Sequence, residues 1–201
     1  IRENTIGLYI INSGLISVWA NIIENNADHG VEIIGGTAIN FVGCNIFEDN
    51  EAAARNYIRG NAADGVHISG ASSENKYISC NWIGLADDGR TAAPNDTGIY
   101  ITNDAENTWV ISNTLSGNNR DGLRIVSSGG NHLILSNTIG LDPTGVYSLS
   151  NGQHGVGIED DVGDNLIGGN LISSNNNFGV YISNSPATAL DENYIGVAKN
   201  G

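Results

Sequence analysis

Four acids crowd one short stretch, "EDDVGDN" at 159–165: Glu159, Asp160, Asp161 and Asp164. Hard carboxylate oxygens set close together are calcium chemistry, so this stretch is a candidate calcium site. On a chain of net charge −14 the same acids also suit an ordinary solvated loop. A second set recurs at long range: Tyr9, Glu32, His67, Tyr100, Arg124, Gly157 and Tyr181 each stand third in a four-residue phrase of glycine, aliphatic, variable, isoleucine. If the phrases stack, Tyr9, His67, Tyr100, Arg124 and Tyr181 form a candidate ligand-binding stripe. Its rings could stack on sugars, and Arg124 could lie over Tyr100 as a cation–π pair. Tyrosine is also a favourable solvent-side strand residue in its own right.

The elements that must position these residues are repeats. The phrase begins at Gly7, Gly30, Gly65, Gly98, Gly122, Gly155 and Gly179, spacings of 23, 35, 33, 24, 33 and 24. A second phrase, small residue, Asn, any, aliphatic, keeps step with it at Asn21, Asn45, Asn81, Asn113, Asn137, Asn170 and Asn193. A unit of 23–24 residues with several short β-rich runs cannot bury its apolar face alone and must stack on its neighbours. Apolar residues alternate with variable ones, the period of a strand. Val66 and Ile68 therefore point inward and His67 outward. The extra residues of the long turns fall mostly after the "IGL" phrase and read as loops along one edge.

Asparagine tolerates left-handed backbone, and its amide can bond to the equivalent amide one coil above and below. The seven phrase asparagines are thus expected to form a ladder at a bend, preceded by a small inward residue: Ala20, Cys44, Cys80, Ser112, Ser136 or Gly169. Cys44 and Cys80 would lie on adjacent coils. Strands sit ~4.7–4.9 Å apart, while disulfides favour Cβ separations of about 3.5–4.5 Å, which predicts two free buried thiols.

Composition narrows the function. The 201 residues include 27 Gly and 29 Asn but only 3 Pro and no Met, a chain of many turns. Eight basic against 22 acidic residues argue against binding a nucleic-acid backbone, and no run approaches the ~20 apolar residues of a membrane span.

These two phrases, with the "N-x-I-G" loop start, resemble the right-handed parallel β-helix proteins of the pectate-lyase-like superfamily, in particular their Asn- and Gly-rich secreted or surface repeat members. The resemblance covers nearly the whole chain. It implies an all-β solenoid of about seven coils, with alternating short and long turns and an internal Asn ladder. For activity it implies a choice among lyases, hydrolases, epimerases and adhesins. A polysaccharide lyase would need a basic residue beside carboxylates, for which Arg120 and Arg124 near Asp104 or Glu106 are the available set. The polygalacturonase-like phrases survive only as echoes, "DHG" at 28–30, "QHG" at 153–155 and "RI" at 124–125, with "NTD" missing. The mannuronan-epimerase "DPHE" phrase is absent, as are Ser/His/Asp nucleophile arrangements.

With no assembled catalytic group, the expected function is a secreted or cell-surface structural or adhesive module. A carbohydrate-active enzyme or a non-catalytic glycan-binding module is the alternative, with polysaccharide as partner. An outward apolar stripe of Phe41, Tyr77, Trp109, Leu133 and Leu166, flanked by Trp19, Ile111 and Leu135, is expected if the register holds. A one-residue slip would instead bury it. Neither end of 1–201 shows a capping phrase. The chain is read as a single solenoid domain that is an excerpt of a longer one, or a unit covered by another copy or solenoid segment.

Overall fold

The computed structural model describes residues 1–44 and 54–200. They form three parallel seven-stranded sheets, each strand hydrogen-bonded to its counterparts one coil before and after. The chain is a right-handed parallel β-helix. The third coil is representative: Val66–Ser69 lies in the first sheet, Lys76–Ser79 in the second, and Trp82–Ile83 in the third.

Strand alternation sets what faces inward. Ile33, Ile68, Ile101, Ile125 and Ile158 are in register on successive strands of the first sheet and fully buried. Val42, Ile78, Val110, Ile134 and Ile167 do the same in the second sheet. Each such side chain contributes roughly 1.5–3 kcal/mol of burial. The register is the expected one, so Phe41, Tyr77, Trp109, Leu133 and Leu166 lie outside the coil in one row. They largely cover one another: Phe41 and Tyr77 are 5.1 Å apart between ring centroids, Tyr77 and Trp109 4.9 Å.

The bends carry polar stacks. The expected ladder exists, with one substitution: Asn21 Nδ2 donates to Asn56 Oδ1, and Asn56 Nδ2 to Asn81 Oδ1. From there it runs through Asn113, Asn137 and Asn170 to Asn193. Asn56 thus holds the slot expected for Asn45, which lies outside the described residues. The extra residues of the second coil consequently precede the third-sheet strand Tyr57–Arg59 instead of following it. Of the six small residues expected inward, Cys44 and Cys80 are buried and the other four are not inward. Ala20, Ser112, Ser136 and Gly169 are exposed, with φ of +55° to +61°. They are small because a left-handed bend disfavours a bulky Cβ.

A second asparagine ladder, at the next bend, joins Asn26, Asn61, Asn95, Asn118, Asn151 and Asn175. It explains the glycine that opens each of the first six first-sheet strands, Gly7 to Gly155. A Cβ on Gly65 would sit 2.7 Å from the Gly98 carbonyl oxygen and 3.0 Å from the Asn95 amide nitrogen. The third bend is polar too, but mixed: Asn40, Lys76, Thr108, His132 and Asn165 are buried in one row. Lys76 Nζ donates to the carbonyls of Gly36 (2.6 Å) and Ala38 (2.9 Å). Burial, opposed by the nearby Glu74 charge, lowers its pKa to about 8.

The prediction of free thiols is overturned. Cys44 and Cys80 form a disulfide with Cα atoms 5.7 Å apart, a separation that suits the bond. The strand-spacing argument did not apply, because both cysteines lie just past strand ends, Cys80 itself at φ +60° and Cys44 directly after Gly43 at φ +108°. Side chains leaving a corner need not run parallel as they do within a ladder. The bond links residues 36 apart and stabilises by roughly 3–4 kcal/mol on the chain-entropy account.

The long turns after "IGL" fold into loops closed by the bridges Leu85 to Ala92 and Leu141 to Ser148. Arg90 from the first loop lies over the Tyr147 ring of the second at 4.3 Å, reaching across the short fourth coil. Asp88 shapes the first loop by accepting from the Thr91 hydroxyl and from the amides of Arg90 and Thr91, which hold its pKa at about 2. On the last coil the inward row is open: Ile182, Leu190 and Ile195 are 37, 47 and 45% exposed, where their partners one coil earlier are fully buried.

Candidate functional site

The outer face of the first sheet gathers the polar and aromatic side chains that the core has no use for. Pairing places Tyr9, Glu32, His67, Tyr100, Arg124, Gly157 and Tyr181 side by side, one per strand, as the stacked phrases imply. A second row was not foreseen. From the second coil on, the residue before each opening glycine is His29, Asp64, Thr97, Asp121, His154 and Phe178 in turn, aligned by the Gly30 amide on the Asp64 carbonyl, Gly65 on Thr97, Gly98 on Asp121, Gly122 on His154 and Gly155 on Phe178. The two rows stand three residues apart. Their signal was visible in the repeated spacings H-x-x-E at 29–32, D-x-x-H at 64–67 and D-x-x-R at 121–124, and in the "DHG" and "QHG" echoes.

At one end of the face, Asp64 organises two imidazoles. His67 Nδ1 lies 2.9 Å from Asp64 Oδ2, and His29 Nδ1 lies 3.4 Å from the same oxygen while accepting from the Asp64 amide at 3.2 Å. The imidazole centroids are 4.4 Å apart. With Nδ1 turned to a carboxylate, His67 presents Nε2 as a free lone pair, a general base or a metal ligand. Tyr100 meets His67 edge-on, centroids 5.3 Å apart.

In the middle, the expected contact of Arg124 with Tyr100 is replaced by ion pairs. Arg124 Nη1 is 3.3 Å from Asp121 Oδ2 and Nη2 is 2.9 Å from Glu159 Oε1. Two carboxylates within hydrogen-bond range hold a guanidinium more firmly than a ring quadrupole does. Arg124 is therefore fixed and neutralised rather than open to an anion. Glycine at 157 leaves open space next to it, since a Cβ there would approach only His154, at 3.9 Å.

At the far end, His154, Phe178 and Tyr181 form a nearly parallel trio with interplanar angles of 5, 13 and 15° and centroids 4.9–5.9 Å apart. The Phe178 amide donates to His154 Nδ1 at 3.3 Å and steadies the platform. Phe178 is 57% exposed. An exposed, pre-stacked set of rings suits the flat face of a sugar.

The acids of 159–165 go separate ways. Glu159 pairs with Arg124, Asp160 accepts from Asn184 Nδ2 at 3.0 Å, Asp164 is exposed, and Asp161 is fully buried. Asp161 belongs to an unforeseen Ser/His/Asp cluster. Ser128 Oγ donates to Asp161 Oδ2 and lies 2.9 Å from His132 Nε2, while His132 Nδ1 accepts from the Thr108 amide at 3.2 Å. Because Nδ1 accepts, the ring proton is on Nε2 and is donated to Ser128. Proton flow is thus opposite to that of a serine nucleophile, which must give its proton to histidine. Burial, opposed by the Asp161 charge, lowers the His132 pKa to about 4. This cluster is structural.

Two other features carry less chemistry. A concavity of about 600 Å³ on the outer side of the third sheet lies between Pro143–Gly145, Leu171, Tyr194 and Lys199. Its lining includes no carboxylate, imidazole or thiol. The lyase set does not assemble either: Arg120 is 3.7 Å from Asp96, and Arg124 is held by Asp121 and Glu159. Among the described residues, a single group of three or more His, Cys, Asp or Glu side chains brings ligand atoms within 4.8 Å of one another: His29, Glu32 and His67.

No protein-family model matches the chain, and no curated protein matches it in sequence. Solved structures do match in fold. A variant of the periplasmic alginate epimerase AlgG superposes with a TM-score of 0.59 at 16% identity, over 95% of this chain and 47% of that one. The A-module of the Azotobacter vinelandii mannuronan C-5 epimerase AlgE6 gives 0.57 at 17% identity, over 98% of this chain and 60% of that one. The AlgE4 A-module gives 0.52 at 13% identity. The shared architecture is the parallel β-helix. At these identities the likeness concerns fold, and the chain spans about half the length of the structures it matches.

Proposed function

We propose that this chain is a carbohydrate-active β-helix module that binds a polysaccharide along the outer face of its first sheet. The observation that carries the reading is the alignment of two rows on this face, one from Tyr9 to Tyr181 and one from His29 to Phe178. They span six strand steps, roughly 29 Å, with a fixed polar centre at Arg124 and an aromatic platform at Phe178 and Tyr181. An inert spacer has no use for aligned imidazoles, carboxylates and stacked rings on one face. That the structural neighbours are named as alginate and mannuronan epimerases supports a carbohydrate ligand at the level of fold. The net charge of −14 favours a neutral chain over a polyanion.

An extracytoplasmic setting follows from the same reading. The Cys44–Cys80 disulfide suits an oxidising compartment, and among the described residues no helix is long and apolar enough to cross a membrane. Affinity electrophoresis against a panel of neutral and anionic polysaccharides tests the proposal, with the products analysed for shortening or new unsaturation. Retardation by at least one neutral chain, weakened in Tyr100→Ala and Tyr181→Ala, is expected. Failure of every polysaccharide to bind, or wild-type binding by both variants, overturns it. Retardation by polyanions alone would replace the neutral ligand class.

A further inference from the structure

We propose that His29, Glu32 and His67 form a binding site for a divalent transition-metal ion of the zinc type, with Asp64 orienting both imidazoles, His67 through its carboxylate and His29 through its backbone amide. The inference goes beyond polysaccharide binding and stands without it.

The donor set comes from two neighbouring coils. Glu32 and His67 are directly paired across adjacent strands, and His29 enters from the corner three residues before Glu32. Their ligand atoms already lie within 4.8 Å of one another, which modest side-chain rotation closes to the span of atoms bound at about 2.0–2.2 Å to one ion. Two imidazoles and one carboxylate are borderline ligands that suit zinc and its first-row neighbours, whereas calcium prefers six to eight oxygens.

The surroundings are those of a metal site. The His29 and His67 side chains are each 15% exposed and that of Asp64 9%, so the ring nitrogens are partly withdrawn from water. Asp64 Oδ2 already receives His67 Nδ1, the carboxylate-to-histidine arrangement that fixes a tautomer and frees Nε2 for metal. His29 now accepts the Asp64 amide at Nδ1. Its Nε2 lies 3.6 Å from Asp28 Oδ1; an ion at Nε2 takes the tautomer with the proton on Nδ1, and the ring then turns from the Asp64 amide toward Asp64 Oδ2, 3.4 Å away. Glu32, Asp28 and Asp64 give the corner a negative field that favours a cation. Three protein ligands leave a coordination position open, and it faces the same surface as Tyr9 and Tyr100. That is the arrangement of an ion that acts on a ligand, not of a closed structural site.

The test is calorimetric titration of the full chain with Zn²⁺ alone, without polysaccharide, paired with Co²⁺ absorption spectra. One ion per chain is expected, with the d–d bands of a low-coordinate nitrogen and oxygen site, and with an excess of Ca²⁺ failing to displace it. His67→Ala abolishes the site at concentrations that saturate the wild type. Glu32→Gln, nearly isosteric, weakens it while leaving the thermal midpoint unchanged, and Asp64→Asn lowers affinity roughly 10–100-fold. Absence of a Zn²⁺ heat in the wild type, or equal stoichiometry and spectra in His67→Ala and Glu32→Gln, overturns the assignment. Polysaccharide binding could survive either result, so the two readings fail separately.

Discussion

The His29, Asp64, His67 cluster and the Ser128, His132, Asp161 cluster use nearly the same side chains, one at the entry to the first sheet and on its outer face, the other just after it. They differ in burial and in the direction of their hydrogen bonds. In the first, Asp64 takes Nδ1 of both rings, through its carboxylate for His67 and its backbone amide for His29, and His67 keeps a lone pair on Nε2. In the second, the backbone takes His132 Nδ1, the remaining proton is spent on Ser128, and nothing is left to offer a ligand. Residue type proposes chemistry at both places. Only the accounting of donors and acceptors shows which one has a free valence.

The largest expected effect separates the two by stability. Asp161→Ala strands the buried Ser128 hydroxyl and takes the acceptor from the half-buried Gly163 amide, and should cost about 1–3 kcal/mol in urea denaturation. Asp64→Asn, at the half-open cluster, should cost less than about 1 kcal/mol. Equal costs would erase the distinction between a sealed and an available cluster.

The next prediction uses pH. His132 has a folded pKa near 4, below its ordinary value of about 6.5. Between those values the unfolded chain binds a proton that the native one refuses, so stability falls as pH drops from 6.5 toward 4. His132→Gln should remove that part of the slope. Lys76 gives a counterpart on the alkaline side. Its folded pKa near 8 lies below its ordinary 10.5, so the native state releases its proton first and stability rises with pH between about 8 and 10.5. Comparison with Lys76→Met isolates that slope, and parallel curves would show that the amine is not desolvated. The smallest effect belongs to the platform: Phe178→Ala should leave the midpoint unchanged and weaken polysaccharide binding by about 2–10-fold.

What repeats was legible in the sequence, and what does not repeat was not. The glycine and asparagine phrases gave the sheets, the register and the outward stripes, because identical residues recur wherever neighbouring coils touch. Asn56 was missed because an insertion shifts its spacing, and the second ladder because its asparagines stand three or four residues before glycine. The mixed row of Asn40, Lys76, Thr108, His132 and Asn165 has no common residue to find; only pairing stacks it. Strand spacing does not reveal the disulfide because Cys44 and Cys80 sit at corners, where side chains need not run parallel. The site was half visible: the Tyr9 to Tyr181 row follows from the phrase, while His29, Asp64 and His154 belong to the turn before it, where Gly30, Gly65 and Gly155 set the register. Asp161, which sequence grouped with Glu159 and Asp160 as a calcium ligand, shows the converse. Adjacent acids on a strand end alternate between outside and inside.

The most direct test of the central claim, that function resides on the outer face of the first sheet, is one binding series. Wild type, the Tyr100→Ala/Tyr181→Ala double variant and His132→Gln are titrated with the polysaccharide that retards the wild type most. The account predicts loss of binding in the double variant at unchanged thermal stability, and wild-type affinity in His132→Gln despite its altered acid stability. Full affinity in the double variant, or loss confined to His132→Gln, would contradict it.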